Sequence, residues 1–205
     1  MRSGLYGGSF DPIHDGHVAA AEEVLHRRAL DRVFFVPAGS PPHKPDGCHA
    51  AFEDRLAMAR LAAAPIHGLE VLDWEGRRTG PSYSVQTLRE FRTRYPEDAI
   101  ELLVGADMLA DLPRWFEADE IVKIAHIAAF ARPGESLDAA RRQFEEGLGV
   151  APTIVEIPLV DAASSAIRAA LAAGRRHGLP LPAEVADYIE ERGLYGGLTA
   201  APDPG

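Results

Sequence analysis

The densest group of chemically capable residues lies near the start of the chain, in Gly7-Gly8-Ser9-Phe10-Asp11-Pro12-Ile13-His14-Asp15-Gly16-His17. Two imidazoles three residues apart, His14 and His17, can each donate an N–H to a phosphate oxygen and carry positive charge beside a dianion. Gly7 and Gly8 let a bulky anion approach the backbone and can take positive φ, Ser9 adds a hydroxyl, and Pro12 stiffens the turn. The histidines could also form half of a metal site. No third and fourth ligand stands at metal-site spacing, however, and Cys48 is the only thiol. Phosphate contact is therefore the preferred reading. Neither G-x-x-x-x-G-K-[ST] nor G-x-G-x-x-G occurs, so neither common phosphate fingerprint accounts for the stretch.

Further donors recur downstream. Ser164 and Ser165 stand at an expected helix start with Arg168 one turn on, so hydroxyls, N–H groups and a planar fork of donors converge on a second phosphate corner. A plain N-cap is the simpler reading of the two serines. The loop 38–47 is rich in Pro and Gly and carries His43 and Lys44, cations that are either solvated or able to overhang the same site. Ser82, Tyr83 and Ser84 open a helix, where hydroxyls serve as caps or as ligand contacts. Gly105 and Asp107 follow a strand end, where a carboxylate can accept bonds from ribose hydroxyls. Trp115 offers a flat face for a heteroaromatic ring, a cationic one especially. A capping Asp and a buried Trp explain these two equally well.

The elements that must position these groups alternate. Apolar runs at residues 3–6, 32–36, 69–73, 100–104, 126–131 and 153–157 have the short, β-branched or aromatic character of buried strands. Between them, 18–25, 52–61, 85–91 and 135–147 show helical spacing, and a last helix begins near Leu181. Parallel strands need crossover connections, so the pattern predicts an α/β fold: a single Rossmann-like, doubly wound parallel sheet with a C-terminal helical extension. The domain is expected over 1–196, with a flexible tail at 197–205.

The 205 residues suffice for one buried core, and 46% hydrophobic with 25% charged suits a globular domain. A net charge of −10 argues against nucleic-acid or acidic-membrane partners, which call for a basic face. A single cysteine excludes an internal disulfide framework and fits a reducing compartment. With no leader-like N-terminus and no membrane-length apolar run, a cytoplasmic location is expected. Oligomeric state is not legible.

The full stretch G-G-S-F-D-P-I-H-x-G-H, with its H-x-G-H core at His14, Gly16 and His17, resembles the signature of the nucleotidyltransferase superfamily. In its long form it is similar to that of bacterial nicotinate mononucleotide adenylyltransferases. P-P-H-K, P-S-Y-S-x-x-T-L, G-A-D-x-L followed by Trp, and S-S-x-I-R resemble four further blocks of that family, so the likeness spans about residues 1–196. Ser84 stands where the family usually has Thr, and Ala162, Ala163 and Ala166 where relatives often have Ile, Ser and an acid.

The resemblance implies attack by the 5′-phosphate of nicotinate mononucleotide on the α-phosphorus of ATP, with Mg²⁺ bound through the ATP phosphates and no metal ligated by the protein. His14, His17, Lys44 and Arg168 would be the catalytic residues. Gly7, Gly8, Ser9, Phe10, Gly16, Gly105, Asp107, Ser164, Ser165 and Ile167 would join the histidines and Arg168 in binding ATP. Ser9, His43, Lys44, Ser82, Tyr83, Ser84, Asp107 and Trp115 would bind the mononucleotide. Nicotinamide mononucleotide as acceptor, and a non-catalytic nucleotide sensor, are the competing expectations. A dehydrogenase is disfavoured by the missing G-x-G-x-x-G.

Overall fold

Six apolar segments pair side by side as β1 (Arg2–Gly8), β2 (Arg32–Pro37), β3 (Leu69–Val71), β4 (Ala99–Gly105), β5 (His126–Ala131) and β6 (Thr153–Glu156). The computed structural model describes residues 1–42, 47–131, 136–157 and 160–196. The strand order is β3-β2-β1-β4-β5-β6, and every neighbouring pair is parallel. The chain therefore builds outward from β1 to β3, then returns past β1 to lay down β4. That reversal makes a topological switch point between β1 and β4, where adjacent loops diverge and leave a crevice at the strands' carboxyl ends.

Helices α1 (Asp15–Arg27), α2 (Phe52–Ala63), α3 (Ser84–Arg94), α4 (Ala106–Asp111), α5 (Ala118–Ile124), α6 (Asp138–Leu148), α7 (Ser164–Ala172) and α8 (Ala183–Glu191) cover the two faces. Alternation along the strands explains the division. Tyr6 and Phe35 join Val24, Met58, Ile167 and Val185 from α1, α2, α7 and α8 in one core. Leu5 and Phe34 join Val85, Leu109, Ile121 and Phe144 from α3 to α6 in the other. A strand between two such layers must be apolar on both sides, which is why it reads as an uninterrupted run. Each large side chain so buried contributes about 1.5–3 kcal/mol.

The structure bears out the parallel α/β sheet and shifts several boundaries. β1 runs on to Gly8, and α6 begins at Asp138 and ends against Gly149, whose φ of 69° turns the chain. α4 and α5 leave no pattern in the sequence. At 6 and 7 residues they are too short to display a helical period. His43, Lys44 and the 197–205 segment lie outside the described residues.

Candidate active site

A cavity of about 390 Å³ opens at the β1/β4 switch point. His14 and His17 face it at the start of α1, Gly105 and Asp107 beyond β4, and Ser164 at the start of α7. The positive φ open to the glycines before the histidines is not used. Gly7 and Gly8 remain in β1 with no positive φ, and the sharp bend falls on Phe10 at φ 46°. A Cβ on Gly8 would stand 3.0 Å from the Phe10 ring, whereas nothing lies within 4 Å of the Cβ position of Gly7. Gly8 lets the chain fold tightly back on itself, and Gly7 leaves open space.

His14 is the N-cap of α1, and its ring stacks on His17 with centroids 3.7 Å apart and planes 21° from parallel. Tyr6 and Phe10 meet the His17 ring edge-on at 6.0 and 5.1 Å. The backbone N–H of His14 donates to Nδ1 of His17 at 3.3 Å. That nitrogen is therefore unprotonated, and the hydrogen of the neutral ring sits on Nε2. Burial, and secondly the adjoining His14 imidazole, hold His17 well below the usual histidine range. At neutral pH His17 accordingly offers one oriented N–H rather than a positive charge, a narrower role than the sequence suggested.

A histidine titrates near 6.5 when unperturbed, and the folded ring resists protonation, so below that pH the unfolded chain binds more protons. The contribution to stability is complete above about pH 6.5 and is lost as pH falls toward the folded value, with a slope no steeper than about 1.4 kcal/mol per pH unit. Denaturant midpoints taken between pH 7.5 and 5 are expected to fall more steeply for the wild type than for His17→Gln. Parallel curves would contradict the neutral assignment.

The loop between β1 and α1 is braced from behind. Asp11 is completely buried: its Oδ2 accepts the His49 N–H at 2.8 Å, and its Oδ1 accepts the Ala50 N–H at 3.0 Å and the Tyr195 hydroxyl at 2.8 Å. Burial alone would raise this carboxyl, but those bonds and the Arg168 charge prevail and keep it below the usual carboxylate range. Arg55, only 2% exposed, donates to the Ser9 carbonyl at 2.7 Å and to the Ala50 carbonyl at 3.3 Å.

The second corner is fastened to the same loop. Arg168 donates from Nη1 to the Asp11 carbonyl at 2.6 Å, and the Ser164 hydroxyl donates to the Pro12 carbonyl at 3.0 Å. Two phosphate corners read from the sequence as separate are thus one bonded unit. Ser165 is exposed in the first turn of α7. Ile167 buries its side chain in the core and gives its N–H to the Ala163 carbonyl, so it anchors the corner and presents no donor to a nucleotide.

Comparison with known proteins decides the family. The cytidylyltransferase-like family matches residues 5–170. A protein of Citrifermentans bemidjiense named "Probable nicotinate-nucleotide adenylyltransferase" is 39% identical over 212 residues, covering 95% of this chain and 98% of its own. This chain belongs to that adenylyltransferase family. A Roseiflexus sp. protein of the same name is 43% identical over 193 residues, covering 94% of this chain and 96% of its own. Among solved structures, the Plasmodium falciparum nicotinic acid mononucleotide adenylyltransferase complexed with NaAD superposes with a TM-score of 0.73. At 18% identity, with coverage of 95% of this chain and 97% of its own, it supports the fold.

Of the groups that the family resemblance assigns to the mononucleotide, Ser82, Tyr83, Ser84 and Trp115 lie on the α3 side. Tyr83 and Trp115 are half-buried against the core cluster that includes α3 to α6, and the exposed Phe116 packs on Tyr83 with ring centroids 4.7 Å apart. Ser84 is the first residue of α3, and the preceding N-cap, Tyr83, makes no side-chain capping bond. The Ser82 hydroxyl accepts the N–H groups of Gly39 and Ser40 at 3.0 and 3.1 Å and is hydrogen-bonded to the buried Glu75. A Cβ on Gly39 would meet the Glu75 carbonyl at 2.3 Å, so only glycine permits this approach. Ser82 therefore shapes the loop that leads toward His43 and Lys44. Sequence alone missed Glu75, as it missed Asp11, Arg55 and Tyr195.

Members of the family commonly use a divalent metal. Among the described residues no group of three or more His, Cys, Asp or Glu side chains could cage one, and Asp107 is the carboxylate on the cavity wall. This donor set fits an ion carried in on phosphate oxygens and water, to which Asp107 would be the carboxylate available. Among the described residues no helix is long and apolar enough to cross a membrane.

Proposed function

We propose that this chain transfers the adenylyl group of ATP to nicotinate mononucleotide, forming nicotinate adenine dinucleotide and pyrophosphate in NAD biosynthesis. A 5′-phosphate oxygen of the mononucleotide bonds to the α-phosphorus of ATP, the bond from that phosphorus to the bridging oxygen breaks, and pyrophosphate leaves. The observation that carries the reading is the stacked His14–His17 pair lining one cavity with Ser164 at the switch point, within a chain of this family.

The nucleophile is already an anion, so the protein has chiefly to align two repelling anions and to stabilise charge that grows in transfer. His17 gives its Nε2–H, and His14 a second donor, to the transferred phosphoryl group. Lys44 meets the incoming phosphate, while Ser164, Ser165 and Arg168 meet the departing pyrophosphate. Asp107 accepts from ribose hydroxyls, and Trp115 with Tyr83 flanks the pyridine ring. Mg²⁺ on the triphosphate would offset phosphate charge. A single cysteine and an acidic balance suit a cytoplasmic enzyme of small anionic substrates.

Pyrophosphate release by the purified protein with ATP and Mg²⁺ tests this, with nicotinate and nicotinamide mononucleotides offered in parallel. The expected result is strong preference for the acid. Comparable rates would make the enzyme dual-specific, and no release with either would overturn the proposal.

A further inference from the structure

We propose that Tyr195 is a positioning residue for adenylyl transfer, holding the histidine-bearing loop in place through the carboxylate of Asp11; this rests on the activity proposed above. The contact joins residues 184 positions apart, and the path by which the chain arrives there is specific. α8 docks on α2, where the Tyr188 hydroxyl donates to Asp54 at 2.9 Å. Just beyond its C-cap, Arg192, stands Gly193, whose φ of 62° a side chain would strain. The Gly193 N–H reaches the Glu190 carbonyl at 3.1 Å and the Leu194 N–H the Ile189 carbonyl at 3.0 Å, the paired bonds of a Schellman turn. That turn sends Leu194 and Tyr195 back against the core beneath the loop.

Tyr195 itself sits at φ 59°, a region that a bulky L-residue occupies only when its surroundings hold it there. Among the described residues its hydroxyl shares Asp11 Oδ1 with one other donor, the Ala50 N–H. Asp11 is completely buried, so the loss of that hydroxyl leaves a charged oxygen short of a donor. Its main chain is meanwhile held by Arg168 on its own carbonyl, by Ser164 on that of Pro12 and by Arg55 on that of Ser9. The backbone that carries Asp11 runs on to His14, the N-cap three residues on, so whatever shift of Asp11 those braces do not absorb displaces His14 and the ring stacked upon it. Small displacements of aligned groups affect the chemical step more than binding.

The test is steady-state kinetics of Tyr195→Phe and Tyr188→Phe beside the wild type, well below the melting transition. Tyr188→Phe removes a comparable hydroxyl-to-carboxylate bond from the same C-terminal region without touching the loop. Tyr195→Phe is expected to lower kcat about tenfold, with KM for both substrates within about twofold, while Tyr188→Phe keeps all three within about twofold. An unchanged kcat in Tyr195→Phe, or equal losses in both variants, would overturn the positioning role. A wild type that releases no pyrophosphate would instead sink the reaction on which the role depends.

Discussion

His17→Ala is expected to lower kcat for adenylyl transfer by about 10²- to 10³-fold, the usual cost of removing one preorganised donor from a developing charge. Three features make the effect large. The Nδ1 of His17 is occupied by the His14 N–H, which leaves Nε2–H as the donor. The ring is gripped by Tyr6, Phe10 and His14, so that donor is aimed before substrate arrives and costs little reorganisation. The ring is also held neutral, so the hydrogen bond does not depend on taking up a proton near neutral pH. Alanine leaves room at a cavity wall rather than a void in the core, and the fold should persist. Pyrophosphate release together with a circular-dichroism melt separates the outcomes. Turnover within a few-fold of wild type would dismiss the role of His17, and loss of the melt would reassign it to packing.

How far the sequence anticipates this site depends on the range over which each residue's partners lie. The strands and the long helices α1 to α3 are legible because burial on both faces or on one stripe writes itself into local periodicity. The H-x-G-H stretch is legible because its groups are contiguous. Asp11 is not, since what matters about it is contacts 38, 39 and 184 residues away. Arg55 left a weak local trace: with Met58, Ala59 and Ala62 it occupies the buried stripe of α2, where a charge is out of place unless something inside calls for five donors. Ser82 misleads in the opposite sense. Its hydroxyl looks available in the sequence, yet the close approach of the Gly39 backbone engages it in shaping a loop. Gly7 and Gly8 show the limit of reading conformation from residue type, because the parallel ladder carries β1 through both before the bend occurs.

Arg168→Ala is the second large effect, expected to lower kcat/KM for ATP by about 10²-fold. From the sequence this arginine belongs to the pyrophosphate corner. In the structure its Nη1 is on the Asp11 carbonyl at 2.6 Å, so the same fork that would meet ATP also ties α7 to the histidine loop, with the Ser164–Pro12 bond beside it. Its charge further steadies the buried Asp11 carboxylate. These two duties predict different kinetic signatures. Loss of the phosphate contact raises KM for ATP and leaves KM for the mononucleotide nearly unchanged; loss of the loop tie lowers kcat whichever substrate is varied. Arg168→Ala should show both. Arg168→Lys keeps the charge, but a single ammonium cannot reproduce the planar fork between a carbonyl and a phosphate. Lysine is therefore expected to recover part of the ATP affinity while kcat stays low. Full recovery of kcat by lysine would mean that charge alone matters and that the bond to Asp11 is incidental. An unchanged dependence on ATP concentration in Arg168→Ala would remove this residue from the pyrophosphate corner and leave it as a brace between α7 and the loop.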